Sequence, residues 1–261
     1  MAITVQTPSR RDRVRAATTQ EIIQTARRLL VEQGPDAVSL RAIAREMGMT
    51  APALYRYFGS HEELLRHVIA DIFTDLATHV KAAIHDAAAG TEGLDEAELM
   101  VVKMAAGCRE FRAWTLEHVP EFSMIFGSPL PGLEVLHEMH QDPTVDCGYK
   151  FGQVFLDLFG ELYRRRPFPI PADGEIDPAL RRQLVRYREL VGSELPLGAL
   201  QTFLRCWVLL YGAVSLEVFG HLRFALDDPS PMFELMLADL APMIGLPYPL
   251  PRQQAQGQRS R

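Results

Sequence analysis

The sequence predicts an all-α protein with a small N-terminal three-helix unit of helix-turn-helix type, joined through a linking helix to a larger helical body. Three observations carry this prediction. Apolar residues recur at i, i+3, i+4 and i+7 in run after run, the spacing that gives a helix one buried face. Glycine and proline fall between those runs, at Gly34-Pro35, Gly48 and Gly59-Ser60, where helices must stop or turn. No stretch shows the alternation of a half-buried strand, and there is no internal repeat.

Residues 1–17 read as a flexible basic arm, with Arg10, Arg11, Arg13 and Arg15 set among polar residues without an apolar period. Two readings are open for it: a disordered tail, or an arm that adds phosphate or minor-groove contacts. The first helix is expected over Thr18–Glu32, burying Ile22, Ile23, Ala26, Leu29 and Leu30. The next stretch, Ser39–Phe58, organises the N-terminal unit. Leu40, Ile43, Ala44 and Met47 share one face, and Arg41 and Arg45 lie on the other. Gly48 supplies a tight turn because a residue without Cβ adopts positive φ at no steric cost. Thr50 is expected to cap a third, short helix through its hydroxyl, with Pro52 in the first turn, where no helical donor is lost. Leu54 and Phe58 point inward, leaving Ala51, Pro52, Tyr55, Arg56 and Tyr57 outside. Small residues at a helix N-terminus admit close approach to base edges, while phenols and guanidinium groups reach phosphates. Helix–Gly–helix alone is common in helical proteins, so the surrounding order of residues has to decide.

A fourth helix is expected from Ser60, where Ser60 and Glu63 form a capping-box pattern and Leu64, Leu65, Val68, Ile69 and Ile72 carry the helix into the body. His61 lies in its first turn, either as a phosphate contact or as a solvated surface residue. The segment AAAGTEGLDEAE reads as a connection, and further helices are expected over Ala97–Val119 (closed by Pro120), Gly148–Tyr163, Ala179–Val191, Leu200–Leu222 and Pro231–Ile244. The arginines of 179–191 read as a solvated face.

Composition bounds the function. The chain has 261 residues, 48% hydrophobic and 23% charged, as ordinary globular proteins do. Its most apolar run, Cys206–Leu216, is short for a bilayer span. Three scattered cysteines make no disulfide framework, and the polar, Arg-rich start is unlike a secretory leader, so a cytoplasmic location is expected. The net charge of −6 is unevenly placed. Residues 1–67 hold ten Lys and Arg against seven Asp and Glu, a balance of +3, and the remainder carries −9. A basic module on an acidic body confines attraction for DNA to one end.

The run GPDAVSLRAIAREMGMTAPALYRYFGSHEELL between two helices resembles the N-terminal domain of the TetR family of bacterial transcriptional regulators, through Gly34, Ser39, Leu40, Ile43, Ala44, Gly48, Leu54, Tyr55, Phe58, Ser60, Glu63 and Leu64. The likeness covers residues 18–78. Two positions depart from the family pattern: Tyr57 stands where His is frequent and His61 where Lys is usual. In the body, FRAWTLEHVPEFSMIFGSPLPG and Trp207-Val-Leu-Leu-Tyr211-Gly212 resemble the WHG type of ligand-binding domain, with Tyr211 in place of histidine. The resemblance implies a DNA-binding domain over 18–78, a helical ligand-binding and dimerisation domain over 79–247, and a disordered tail over 248–261. It implies contacts to double-stranded DNA from Ser39, Arg41, Thr50, Ala51, Pro52, Tyr55, Arg56, Tyr57 and His61. It also implies a pocket for a small-molecule effector, for which Trp114, His118, Phe122, Phe155, Trp207 and Tyr211 are the candidates, although helical core explains most aromatic residues of the body.

No P-loop, GxGxxG, GxSxG or HExxH motif occurs, so an enzyme is not expected and no cofactor is called for. His137, His140, Asp142, Asp146 and Cys147 have ligand types suited to a divalent metal, but Pro143 interrupts them and no metal site is expected. Three function classes stay open: a ligand-responsive repressor acting as a homodimer, a DNA-binding protein without an effector, and a helical enzyme carrying a relic helix-turn-helix.

Overall fold

A computed structural model describes residues 9–89, 91, 93–127 and 143–248, the side chains of 143–146 excepted. Among these residues the regular structure is helical, and the chain divides into two compact units, one from Met1–Asp75 with His118–Gly148 and the other from Leu76–Glu117 with Tyr149–Arg261.

In the first unit, α1 spans Arg10–Gln33 and starts eight residues earlier than the apolar period predicts. The reason is a cap. Ser9 Oγ accepts from Asp12 N, and an Asp12 carboxylate oxygen accepts from Ser9 N, both at 3.2 Å, so the four arginines of the expected arm all lie in the first turns of a helix of 24 residues. Periodicity detects a helix only where it is buried; these first turns are exposed on every side. The helix ends at Gly34, whose φ of 86° closes a bond to the Leu30 carbonyl. Ser39 caps α2 (Leu40–Glu46) by accepting from Ala42 N. After the turn at Gly48 (φ 64°), α3 is a single turn, Ala51–Leu54, continued by turn residues to Tyr57.

The N-terminal part of α4 (His61–Ala88) completes this unit, and α6 (Val119–Phe126) joins it. The latter is a difference from the expected boundary at residue 78. Pro120, expected to close the preceding helix, sits in the first turn of α6 and so starts one. Arg27 explains why α6 belongs here. Its guanidinium pairs with Asp71 (2.8 Å) and Asp75 (3.1 Å) of α4 and lies 3.7 Å from the buried Glu121 of α6. Hydrogen bonds that the guanidinium donates to both aspartates hold it charged against the desolvation that burial imposes.

The second unit contains the later turns of α4, then α5 (Glu96–Glu117), most of α7 (Pro143–Arg165), α8 (Pro178–Leu190), α9 (Leu197–Val218) and α10 (Ser230–Leu240), with a 3₁₀ turn at Ala241–Ile244. Asp177 caps α8, accepting from Ala179 N and Leu180 N. The core is aromatic: Phe111, Phe151 and Phe155 surround the Trp207 ring with centroids 5.7–6.1 Å away. By length and composition α9 could cross a membrane, contrary to the short run read from the sequence, but Leu200, Phe203, Leu210 and Val214 are buried in the body. The candidate metal ligands His137, His140 and Asp142 and the Asp146 side chain lie outside the described residues, as do 1–8 and the tail after Tyr248.

Candidate functional site

The N-terminal unit exposes one face of α3. Leu54 and Phe58 are buried at 0% and 1% exposure, so the helix is anchored by one edge and Pro52, Tyr55 and Arg56 face solvent, Tyr55 at 50%. Ser39 lies at the N-terminus of α2 with its hydroxyl used in capping, and Arg41 is exposed in the first turn. Thr50 departs from expectation. Its carbonyl accepts from Ala53 N and Leu54 N, but its hydroxyl makes no capping bond. Pro52 removes the backbone N–H at N2, one of the two donors an N-cap hydroxyl serves. Ala51 is half-buried beside it.

Two further residues are held rather than loose. Tyr57 is half-buried under Arg15, whose guanidinium carbon lies 5.2 Å from the ring centroid. His61 Nε2–H donates to the Val38 carbonyl at 2.6 Å, tying the start of α4 to the segment that leads into α2. The ring nitrogen expected to face a phosphate is therefore spent on the backbone. At the same junction Glu63 N donates to Ser60 Oγ, and Glu63 Oε2 accepts from Gly59 N, so the capping box closes one residue earlier than the pattern predicts.

The second unit holds a cavity of about 70 Å³ whose walls are apolar. Met104 and Cys108 come from α5, Phe155 and Phe159 from α7, Phe203, Cys206 and Trp207 from α9, and Leu237 and Leu240 from α10. Burial pushes the Cys108 thiol up to about 12 and the Cys206 thiol to about 11, so both remain neutral at physiological pH. The segment after α10 closes one side. Gly245 (φ 67°) turns the chain so that Leu246 and Tyr248 reach the lining. Arg109 donates to Glu234 (2.8 Å) and to the Tyr248 hydroxyl (2.7 Å), which itself donates to Glu234. Tyr248, expected in a disordered tail, is thus pinned.

Both units have counterparts in known proteins. The family description "Bacterial regulatory proteins, tetR family" matches residues 22–68, and "Tetracyclin repressor-like, C-terminal domain" matches residues 104–240. Over 249 residues the chain is 30% identical to the HTH-type transcriptional regulator Mb1846 of Mycobacterium bovis, covering 92% of this chain and 99% of that one. The regulator Rv1816 of Mycobacterium tuberculosis matches with the same figures. The chain belongs to the TetR family of transcriptional regulators. Among solved structures, the regulatory protein SCO4313 is 29% identical with a TM-score of 0.65, over 90% of this chain and 98% of that one. A Rhodococcus sp. RHA1 protein, 17% identical with a TM-score of 0.57 over 93% and 97%, shares the fold.

In this TetR-family chain the expected effector residues divide. Phe155 and Trp207 line the cavity, and Tyr211 stacks on Trp207 with centroids 5.9 Å apart and planes at 13°. Trp114 is buried in α5 at 1% exposure but is not part of the lining. His118 is the N-cap of α6, and Phe122 is fully buried in the first unit beside Phe126; neither belongs to the cavity. Aromatic content could not separate these sets, because it does not tell which face of a helix each ring occupies. The lining residues missed include Met104, Cys108, Cys206 and Tyr248. Each reads as ordinary core or tail until α5, α9 and the segment after α10 come together.

Proposed function

We propose that the protein is a homodimeric transcriptional repressor that binds a palindromic operator and is released by a small, largely apolar effector. The observation that carries the reading is the one-turn α3. Its inner edge is locked by Leu54 and Phe58, while Pro52, Tyr55 and Arg56 stay exposed at the end where bases and phosphates are met. Thr50, Ala51 and Pro52 approach base edges; Tyr55, Arg56 and Tyr57 serve the phosphate backbone, together with Arg41. Ser39 acts through the N-terminus of α2 and His61 through the Val38 carbonyl it fixes.

One short reading helix contacts too few base pairs for useful specificity, so two copies are required, about 34 Å apart in successive major grooves. The surface that pairs them is the stripe Val208, Leu209 and Leu216 of α9 and Phe219 at its C-cap, with Met232 and Leu235 of α10, all large, apolar and exposed. Gly212 lies within the stripe with open space over it, which lets a partner helix approach closely.

The effector enters the α5–α7–α9–α10 cavity. About 70 Å³ is less than a drug-sized ligand fills, so binding must push lining side chains apart. The neutral thiols and aromatic walls select an uncharged molecule. The fourth helix contributes His61–Asp75 to the reading unit and its later turns to the body, which makes it the natural lever. A ligand that favours a different tilt of α4 needs only about 1–3 kcal/mol of coupling to shift operator occupancy.

The test is a pair of titrations with a panel of neutral aliphatic and aromatic compounds. Wild type should lose operator on binding a panel member, and operator should weaken that compound's binding by the same factor, as linkage demands. Trp207→Ala should change compound affinity while leaving DNA affinity without compound near wild type. Compound binding unaffected by DNA would refute the lever, and binding unaffected by Trp207→Ala would refute the pocket.

A further inference from the structure

The one-turn α3 raises a question that its inner edge does not answer. Four helical residues cannot hold themselves in a helix in water, so both ends of the reading segment need tertiary support. The N-terminal end follows from the Gly48 turn, and Leu54 and Phe58 fix the buried edge. The outer C-terminal end, Tyr55–Tyr57, is made of exposed and half-exposed turn residues. A side chain of α1 reaches it. Arg15 Nη2 donates to the Arg56 carbonyl at 3.0 Å across 41 residues of sequence, and the same guanidinium lies over the Tyr57 ring at 5.2 Å.

We infer that Arg15 is a positioning residue for operator recognition: it braces the C-terminal end of the reading helix and aims Tyr57, and it does not contact phosphate itself. This rests on the DNA-binding reading above. The chemistry is specific to arginine. Its planar fork can donate to a carbonyl while its face lies on a ring, whereas the compact ammonium of lysine cannot do both. The capped start of α1 serves the same end. Without the Ser9–Asp12 box the helix would begin later, and Arg15 would hang from an unstructured arm. The sequence groups Arg15 with Arg10, Arg11 and Arg13 in an arm that is either disordered or a source of phosphate contacts; its bond to the Arg56 carbonyl and its place over Tyr57 fit neither reading.

The two roles differ in what they do to salt dependence. A phosphate contact contributes about 0.9 to the slope of log affinity against log salt, for operator and unrelated DNA alike. A brace contributes nothing to the slope and acts on the preference for operator. The experiment compares wild type, Arg15→Ala and Arg15→Lys on two probes. One is the duplex that wild type enriches from a random-sequence pool, and the other is sonicated mixed-sequence DNA, each across a salt series. Arg15 is exposed, so both variants should fold, which thermal melting checks.

Both variants are expected to lose about tenfold in affinity for the enriched duplex, with unchanged slope and a smaller loss on mixed DNA, where only the neutral Tyr57 contact to phosphate is weakened. A slope lowered by about one unit in Arg15→Ala, or wild-type binding by Arg15→Lys, overturns the proposal. If wild type enriches no sequence, the regulator reading itself fails. The brace is then judged by hydrogen exchange at the amides of residues 55–58, which must quicken in both variants; unchanged exchange overturns it.

Discussion

Arg112 of α5 and Glu217 of α9 form a two-pronged ion pair, with Arg112 Nε 2.6 Å from Glu217 Oε2, and the same guanidinium also donates to Ser230 Oγ at the start of α10. One side chain thereby ties together three helices that wall the cavity. The Glu217 side chain is only 8% exposed and that of Arg112 19%, so the carboxylate has little water to fall back on. Hydrogen bonding to Glu217 raises the Arg112 pKa further. Arg112→Met strands a buried carboxylate and should cost about 3 kcal/mol in urea unfolding. The double variant Arg112→Met, Glu217→Met should recover a large part of that loss. Equal destabilisation by single and double variants would show that packing, not charge, is what the pair supplies.

Tyr55, half exposed on the reading face, should act through a single hydrogen bond to the phosphate backbone. Tyr55→Phe is expected to weaken binding by on the order of 1 kcal/mol on operator and on unrelated duplexes alike. Unchanged affinity on every duplex would mean that the docking orientation is wrong.

Leu209 stands 46% exposed in the middle of the α9 stripe. A dimer buries it; a charge placed there cannot be buried unpaired. Leu209→Glu should convert the protein from dimer to monomer in sedimentation at micromolar concentration and abolish operator binding, with helical content intact. A wild-type protein that sediments as a monomer and still binds operator tightly would rule out the pairing.

The Arg109–Glu234–Tyr248 cluster makes closure of the cavity sensitive to acid. Hydrogen bonding to Arg109, and then to Tyr248, holds the Glu234 carboxyl below its ordinary value of 4.5. A carboxyl depressed in the folded state contributes stability that is present above the unfolded value and lost as pH falls through the folded one. The difference in melting temperature between wild type and Glu234→Gln should therefore be largest near neutral pH and shrink steadily below about pH 4.5. A difference that stays constant down to pH 3 would show that the cluster does not hold the C-terminal segment.

The sequence by itself determined most of the helices and their turns, with α6 and the first eight residues of α1 the exceptions. Burial imposes periodicity, so Ile22 through Leu30 and Leu40 through Met47 declare their elements directly. Gly34 and Gly48 declare the breaks, because each has the positive φ that only glycine adopts without strain. The exposed face of α3 was legible for the same reason: Leu54 and Phe58 are buried four residues apart, which leaves Tyr55 and Arg56 outside. Tertiary structure decided everything that depends on which distant residues meet. It extended α1 back to Arg10 through an exposed cap, drew α6 into the N-terminal unit by way of Arg27, and gave His61 and Arg15 the Val38 and Arg56 carbonyls as partners. It also chose Phe155 and Trp207 for the cavity over Trp114, His118 and Phe122. A side chain's type is local information, but its partner is not. An arginine that will meet a carbonyl 41 residues away carries the same letter as one that meets only water.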